Sequence, residues 1–589
     1  MNETIRELLI FLYGKETAEG LYPRFMEAAE NFARDNAGLL PAGKGRYGAF
    51  GAGGPEDGNR GAGNIGGGDA FLISYGDMLG AGEKDREGTG LARLNRFLSR
   101  WNRGRFTFLH LLPFHPYSSD DGFSVIDYRQ VDERFGAWED IRALAENYKM
   151  AFDFVINHGS VKSRWFQSFL AGKEPYGDWF ISRPAGYDSS AVVRPRTHPL
   201  LSPFRRGDGS TVYVWTTFSA DQADYDFSRP GVLLEFTGIL LDYYRRGGKI
   251  LRLDAIAYLW KEDGTPCLHH PKTHAVVKLF RAVIDLLGLD MLLLTETNVP
   301  HRENVSYFGR RGKGGAGDEA HLVYNFALPP LVLHGAVSGD AGPLRRWAKD
   351  VFRAGWMFLN FLASHDGVGL TPARGLIDDE AFARTIAEAG RRGALISYKS
   401  SPAGDVPYEL NCSWADMVAP RSLGTAELRA RAFLATQAVL FALPGLPAVY
   451  FHSWIGSEGW KEGPGLLGYN RAINRQRPSV DLVESELNDK GSFRYHVYHG
   501  FGGLMDFRKT EAAFDPESPC RVLDSEGSIF ALERGPDRNG RRVLCIQNLG
   551  RSEGLVKTDI PSLNEIPIES YQIRWIVVEE GRPAGEYRN

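Results

Sequence analysis

The sequence predicts an α/β protein built as a (β/α)8 TIM barrel. Three observations carry this reading. Apolar runs recur along the chain: AFLISYG, FTFLHLLPF, MAFDFVINH, KILRLDAIAYL, DMLLLTETN, VYNFALP, WMFLNFLASHD and PGLPAVYFHS. They are continuous rather than alternating, as in parallel strands buried on both faces. Between several of them lie stretches with helical period, such as WEDIRALAENYK, PGVLLEFTGILLDYYRRG and KTHAVVKLFRAVIDLLG. Eight such repeats fit a closed barrel better than an open sheet.

The remaining elements follow in chain order. Over residues 4–35 apolar residues recur at helical spacing, which predicts an N-terminal helical extension filling residues 1–70. Within it, residues 41–69 are dominated by glycine and predict a linker or loop. No GxxxxGK[ST] occurs and no strand precedes the glycines, which argues against a phosphate cradle. The barrel is assigned to residues 71–500. Two stretches interrupt it: an inserted subdomain at about 159–230, after the third strand, and a long loop region at about 371–415, after the seventh. Short β-like runs in residues 501–589 predict a C-terminal antiparallel β domain.

At 589 residues the chain exceeds what one hydrophobic core organises. A net charge of −4 gives no reason to expect nucleic acid or an anionic membrane. The start, MNETIRELLIFLYG, has no basic leader, and its apolar run is short, which predicts a cytoplasmic protein without signal peptide or membrane span. Four cysteines without CxxC spacing predict neither a zinc site nor a disulfide framework. Aromatic residues include 12 Trp, 24 Tyr and 35 Phe. Core filling accounts for most of them, but the supply also suits a carbohydrate cleft.

Catalytic residues of such barrels sit at the C-terminal ends of different strands. Polar residues that close apolar runs are therefore the candidates. FDFVINH ends in Asn157 and His158, LLLTETN carries Glu296, and FLNFLASHD ends in His365 and Asp366. In KILRLDA, Arg252 and Asp254 stand two apart and share one strand face. A structural ion pair would explain those two alone. Carboxylates, histidines and an arginine at several strand ends are harder to explain that way, and three carboxylates suit glycosyl transfer.

FVINH, LRLDA, TETN and SHD, in this order, resemble the four signature regions of the α-amylase superfamily (glycoside hydrolase family 13). The resemblance covers most of the chain from about residue 70. It implies that Asp254 is the nucleophile, Glu296 the acid/base and Asp366 the carboxylate that grips the sugar. Arg252 then keeps the nucleophile ionised and oriented, since a nearby cation lowers a carboxylate pKa. His158 and His365 are implied to hydrogen-bond sugar hydroxyls.

The stretch LLPFHPYSSDDGFSVIDYRQVDERFGAWEDI resembles the sucrose phosphorylase branch of that superfamily. There Asp120 matches a grip on glucose hydroxyls, Phe123 a hydrophobic platform and Arg471, in LGYNRAINR, a second grip. AVVRPRTHPLLSPF resembles the branch's acceptor-side loop, where Arg196 meets phosphate. A solvated basic loop would account for Arg194 and Arg196 taken alone, yet a guanidinium fork also pairs well with phosphate oxygens. LLTETNVPHRENVSYFG, FLNFLASHDGVGLTPARGL and VPYELN are similar to the glucosylglycerate phosphorylases of the branch. Tyr408, Glu409 and Asn411 become candidate acceptor contacts. A carboxylate such as Glu409 repels an anion unless it binds hydroxyls or pairs with an arginine. The resemblance implies a retaining phosphorylase acting on a small α-glucoside and phosphate. It implies no metal and no cofactor, phosphate being a substrate. A monomer or homodimer is expected.

Overall fold

A computed structural model describes residues 2–41, 65–82, 88–311, 317–351, 356–399 and 404–589. All eight apolar runs form strands: β1 (Phe71–Ser74), β2 (Phe108–Leu111), β3 (Lys149–Phe154), β4 (Gly248–Leu253), β5 (Leu292–Thr295), β6 (Leu322–Tyr324), β7 (Phe358–Phe361) and β8 (Leu446–Tyr450). They close into one barrel. Phe71 of β1 faces Phe108 of β2 on one side and Ala448 of β8 on the other, and both pairings are parallel. β1, β2, β5 and β7 are buried along their whole length, because one face fills the barrel and the other meets helices. That double burial is why these strands read as unbroken apolar runs.

The helices obey local rules. Pro271–Leu287 opens with proline, is capped by the His270 side chain on the Lys272 N–H, and ends at Gly288 in the left-handed conformation (φ 61°). The N-terminal extension forms two helices, α1 (Asn2–Tyr13) and α2 (Lys15–Asp35). α1 buries Ile5, Leu9 and Leu12 and packs on helix Pro271–Leu287, while α2 also contacts helix Pro230–Arg245. The Tyr13 hydroxyl donates to the Phe227 carbonyl at 3.0 Å. The glycine-rich stretch falls, for residues 42–64, outside the described residues.

After β3 the chain builds a small subdomain. His158–Ser160 pairs with Gln222–Asp224, and Ser182–Arg183, Leu201–Arg205 and Thr211–Trp215 form a three-stranded sheet. The segment after β7 differs from the loop region expected at 371–415. It holds helix Asp379–Arg391 and a three-stranded sheet of Val368–Gly369, Leu395–Lys399 and Val406–Asn411. The helix is amphipathic, buries Phe382, Thr385 and Ala389, and is capped by Asp378. At the C-terminus, helix Phe493–Thr510 packs on helix Ala426–Ala442. The β domain's own strands therefore begin only at Cys520 and form a five-stranded antiparallel sheet ending at Arg588. One continuous apolar cluster runs from Ile5 through the barrel to Val577. Among the described residues no helix is long and apolar enough to cross a membrane.

Candidate active site

The site grows out of the barrel floor. Inside the barrel, His110 of β2 lies 2.9 Å from Asp153 of β3, and Asp153 is 2.5 Å from the Arg252 guanidinium of β4. All three are almost wholly buried. The same Arg252 nitrogen donates to Asp254 at 2.7 Å, and the other terminal nitrogen lies 4.0 Å from Glu296 at the end of β5. Arg252 thus stands beneath the two carboxylates and does not line the pocket above them. It is a support for Asp254, two residues on along the same strand face.

The turn after β4 is also specialised. Ala255 adopts a left-handed backbone (φ 49°), a conformation that costs a non-glycine residue about 1 kcal/mol. In return its N–H points at Glu296 Oε2, 2.9 Å away. One turn so ties the residue after Asp254 to the Glu296 carboxylate.

Asp366, after β7, is held from the other side. Arg471 Nη1 lies 2.7 Å from it, and the rest of the Arg471 fork holds Glu409 at 2.8 and 3.0 Å. The charge of Glu409 is therefore compensated by an arginine. Beside them stands Arg475, which sequence reading passed over although it lies four residues from Arg471 in the same LGYNRAINR stretch. Arg475 donates to Asp121 at 2.8 Å and to the His365 carbonyl at 2.9 Å, and reaches Asp366 at 3.4 Å and Asp120 at 3.5 Å.

The histidines are set by packing. The His365 ring stacks on Phe123, centroids 4.9 Å apart and planes 7° from parallel. His158 Nε2 lies 3.1 Å from the Phe123 carbonyl. Burial pushes His158 down to about 4, so it is a neutral hydrogen-bonding group at neutral pH. Burial, reinforced by Arg475 and Arg252, holds His365 well below the usual imidazole range.

These groups surround one pocket. Asp254, Glu296, Asp366, Asp120, Phe123, His158, His365, Arg471, Arg196, Tyr408 and Glu409 all line it. Asn411 does not. It is fully buried and donates to the Leu395 carbonyl and the Ser397 hydroxyl, stitching neighbouring strands of the sheet after β7. Asn411 is two residues from Glu409 and shares its strand face, but it lies further along the strand, opposite Leu395, where that face has left the pocket. Residues that sequence reading missed are Arg475 and the pocket-lining Phe218, Gln222, Tyr258 and Asn298. Tyr258 and Asn298 lie close after Asp254 and Glu296 and could have been found as neighbours of the signature regions; Phe218 and Gln222 come from the insert and carry no local signal.

The walls have different charge. Arg196 lies over the rings of Phe218 (5.7 Å) and Tyr408 (5.6 Å) and donates to the Pro195 carbonyl. Among the described residues it has no carboxylate partner. Beyond it the pocket opens into a wider vestibule of about 800 Å³, lined by Asp120, Ser219, Asp221, Tyr398 and Tyr469.

Burial raises the carboxyls of both Asp254 and Glu296, and other carboxylates in the site add to this, against the pull of Arg252. Arg252 thus acts on Asp254 in the direction the sequence reading expects, opposing the effect of burial without cancelling it. Each carboxyl raises the other, so the two titrate as a pair. The direct Arg252 hydrogen bond favours the ionised form of Asp254, and the Ala255 N–H favours that of Glu296. Burial would raise Asp366 too, but Arg471 and Arg475 overcome it and keep Asp366 below its usual range. The site thus offers two buried carboxyls, one hydrogen-bonded by an arginine, and a third carboxylate held anionic by two arginines, a set that suits glycosyl transfer.

The insert is locked to this site by a buried cation. Lys261 Nζ lies 2.6 Å from Asp224 and 2.8 Å from the Asn157 amide oxygen, with both charged side chains almost fully buried. Thr217 donates to Asp224 as well, through its N–H and its hydroxyl.

The chain is similar to known proteins over most of its length. Residues 105–357 match the family of the alpha amylase catalytic domain. The chain is 46% identical over 555 residues to the glucosylglycerate phosphorylase of Spirochaeta thermophila, covering 94% of this chain and 90% of that one. It is 40% identical to the glucosylglycerate phosphorylase of Escherichia coli over 86% of this chain and 91% of that one. Among solved structures, the sucrose 6F-phosphate phosphorylase of Thermoanaerobacter thermosaccharolyticum superposes with a TM-score of 0.73 at 25% identity, covering 89% of this chain and 99% of that one.

Proposed function

The chain belongs to the alpha-amylase family, in the group of the glucosylglycerate phosphorylases, and from that premise we propose that it catalyses the reversible phosphorolysis of 2-O-α-D-glucosyl-D-glycerate to α-D-glucose 1-phosphate and D-glycerate. Asp254 attacks the anomeric carbon as the glycosidic oxygen takes the proton of Glu296. The carbon–oxygen bond to glycerate breaks, and a β-glucosyl ester on Asp254 remains. Phosphate then enters the vacated acceptor site. One of its oxygens attacks the same carbon, Asp254 leaves, and any proton on that oxygen passes to Glu296. Two inversions retain the α-configuration.

Each neighbour has a task in this scheme. Arg252 orients Asp254 and stabilises it as it departs. Asp366, kept anionic by Arg471 and Arg475, holds sugar hydroxyls as positive charge grows on the ring. Asp120, His158 and His365 grip the remaining hydroxyls, and Phe123 supplies an apolar platform. No cofactor enters the scheme.

The observation that carries the phosphorylase reading is Arg196. A guanidinium on the pocket wall suits an anionic partner, and phosphate and glycerate are both anions that would use the site in turn. The test runs the reaction in the synthetic direction. Purified protein is given α-glucose 1-phosphate with D-glycerate, glycerol, fructose, fructose 6-phosphate or water alone, and phosphate release is followed, with Asp254→Asn as blank. Release with D-glycerate far above the rest is expected. Preference for another acceptor would move the chain within the branch, to a sucrose, sucrose 6′-phosphate or glucosylglycerol phosphorylase. Equal release with water alone would make it an α-glucoside hydrolase.

A further inference from the structure

The reaction scheme leaves one buried polar side chain without a task. His110 of β2 lies inside the barrel and is wholly buried. Its Nε2 is 2.9 Å from Asp153 Oδ2, and an ionised carboxylate only accepts, so the ring donates. Its Nδ1 is buried too and, among the described residues, has no hydrogen-bond partner. An unpaired buried ring nitrogen is unfavourable. A phenyl ring would fill the same space beside Phe71, whose centroid is 5.7 Å away, without that cost. Packing therefore does not account for a histidine here, whereas its bond to Asp153 does.

The strand register builds a staircase from His110 to the nucleophile. His110 stands opposite Ala151 of β3, and Asp153 is two residues further along the same face. Asp153 in turn stands opposite Arg252 of β4, and Asp254 follows two residues on. One oxygen of Asp153 receives His110 and the other lies 2.5 Å from the Arg252 nitrogen that reaches Asp254. Burial would raise the Asp153 carboxyl, but Arg252 and His110 overcome it and keep it below its ordinary range. Beside the guanidinium lie the rings of Phe123 and Tyr324, at 5.7 and 5.5 Å, which confine it without aiming it. Its aim comes from carboxylates.

We infer that His110 is a positioning residue for the nucleophile, which acts by aiming Asp153 at Arg252 and so fixes the guanidinium beneath Asp254. This rests on the double displacement proposed above and deepens it. In the glucosyl ester Asp254 carries no charge, and its hold on Arg252 weakens. Asp153 is then the anion in direct contact that keeps Arg252 in place for the second displacement, when Asp254 leaves as a carboxylate. The terminal torsion of an aspartate is soft. The His110 bond on Oδ2 stops Asp153 from turning and taking Arg252 with it.

The experiment follows glucosylglycerate turnover across pH, with and without phosphate, for the wild-type protein, His110→Phe, His110→Asn and His110→Gln, with melting temperatures taken alongside. The Gln amide nitrogen reaches the position of Nε2, whereas the shorter Asn amide stops at that of Nδ1. His110→Phe is expected to lower kcat about 10- to 100-fold, the scale of a displaced catalytic group, with each KM kept within about twofold. The acid limb of kcat/KM moves to higher pH, because Asp254 loses part of its support from Arg252. His110→Asn behaves alike and takes over the comparison should the phenylalanine variant fail to fold. His110→Gln recovers most of the rate. In an Arg252→Gln background, His110→Phe costs less than about threefold more, since both changes act through one group. A lowered melting temperature with kcat and the acid limb unchanged would overturn the assignment, as would equal losses in His110→Asn and His110→Gln; either leaves the phosphorylase reading standing. A wild-type rate that does not depend on phosphate would overturn the phosphorylase reading alone, and the His110 signature would then be read on glucose release.

Discussion

Arg252 and Asp254, two residues apart at the end of β4, share a hydrogen bond of 2.7 Å, and the arginine nitrogen that makes it also lies 2.5 Å from Asp153. The pairing places a fixed positive charge beneath a carboxylate that burial would otherwise protonate. Replacing Arg252 by Gln keeps polarity and removes the charge. The expected result is a fall in kcat of about 10²- to 10³-fold, the scale of losing one preorganised charge-stabilising donor. The pH profile adds a signature. Without Arg252 the carboxyl of Asp254 rises further, so the acid limb of kcat/KM moves to higher pH. A variant with an unshifted limb would mean that Arg252 serves only packing.

The raised carboxyl of Glu296 has a consequence for stability. Its folded value lies above the unfolded one. Across that window the folded protein holds a proton that the unfolded chain has released, so stability present at acid pH is lost as pH rises through the folded value. Glu296→Gln has no proton to lose. Its stability is expected to match the wild type below the ordinary carboxyl range, to exceed it increasingly as pH rises toward the folded value of Glu296, with a slope of at most about 1.4 kcal/mol per pH unit, and to level off above it. Thermal melts across that range check it, and a difference independent of pH would contradict it.

The proposed anion site rests on Arg196, so Arg196→Ala is expected to lower kcat/KM for phosphate roughly 10- to 100-fold, mostly through KM. Arg196→Lys restores part of this, since an ammonium keeps the charge without the fork. Initial rates of phosphorolysis at varied phosphate are the readout. A KM unchanged in Arg196→Ala would remove the residue from the anion site.

Lys261 supplies the cation where the insert meets the barrel. Lys261→Met leaves Asp224 buried and unpaired and should destabilise the fold by about 3–5 kcal/mol. Adding Asp224→Asn should recover part of the loss. Because the resident charge is an ammonium, dialysis against EDTA is expected to change neither melting temperature nor rate. Denaturant titration of both variants decides the first point, and activity after dialysis the second.

Much of the barrel is legible in the sequence because double burial writes its strands as unbroken apolar runs, and its carboxylates stand where those runs end. Asp254 and Glu296 could be picked out in this way, as could Asp366. The region after β7 was less legible. Its strands are short, and Leu395–Lys399 is only partly buried, so the apolar signal is faint. Its helix did carry a readable sign in the Asp378 cap followed by Phe382, Thr385 and Ala389. Arg475 could not be separated from Arg471 by spacing alone, since both fall on one 3-10 turn and its exit. Asn411 illustrates the converse: a polar residue beside a candidate site can be a strand tie. The Asp224–Lys261 lock joins residues from the insert and from the loop after β4, and nothing local announces a contact across that distance.

The phosphorolytic double displacement is tested most directly in the degradative direction. Glucosylglycerate is incubated with the protein, with and without inorganic phosphate, and the anomeric signals are followed by proton NMR. α-Glucose 1-phosphate and glycerate are expected to appear together, only when phosphate is present, with no β-anomer of the sugar phosphate. Free glucose released at the same rate without phosphate, or a β-configured product, would contradict the mechanism.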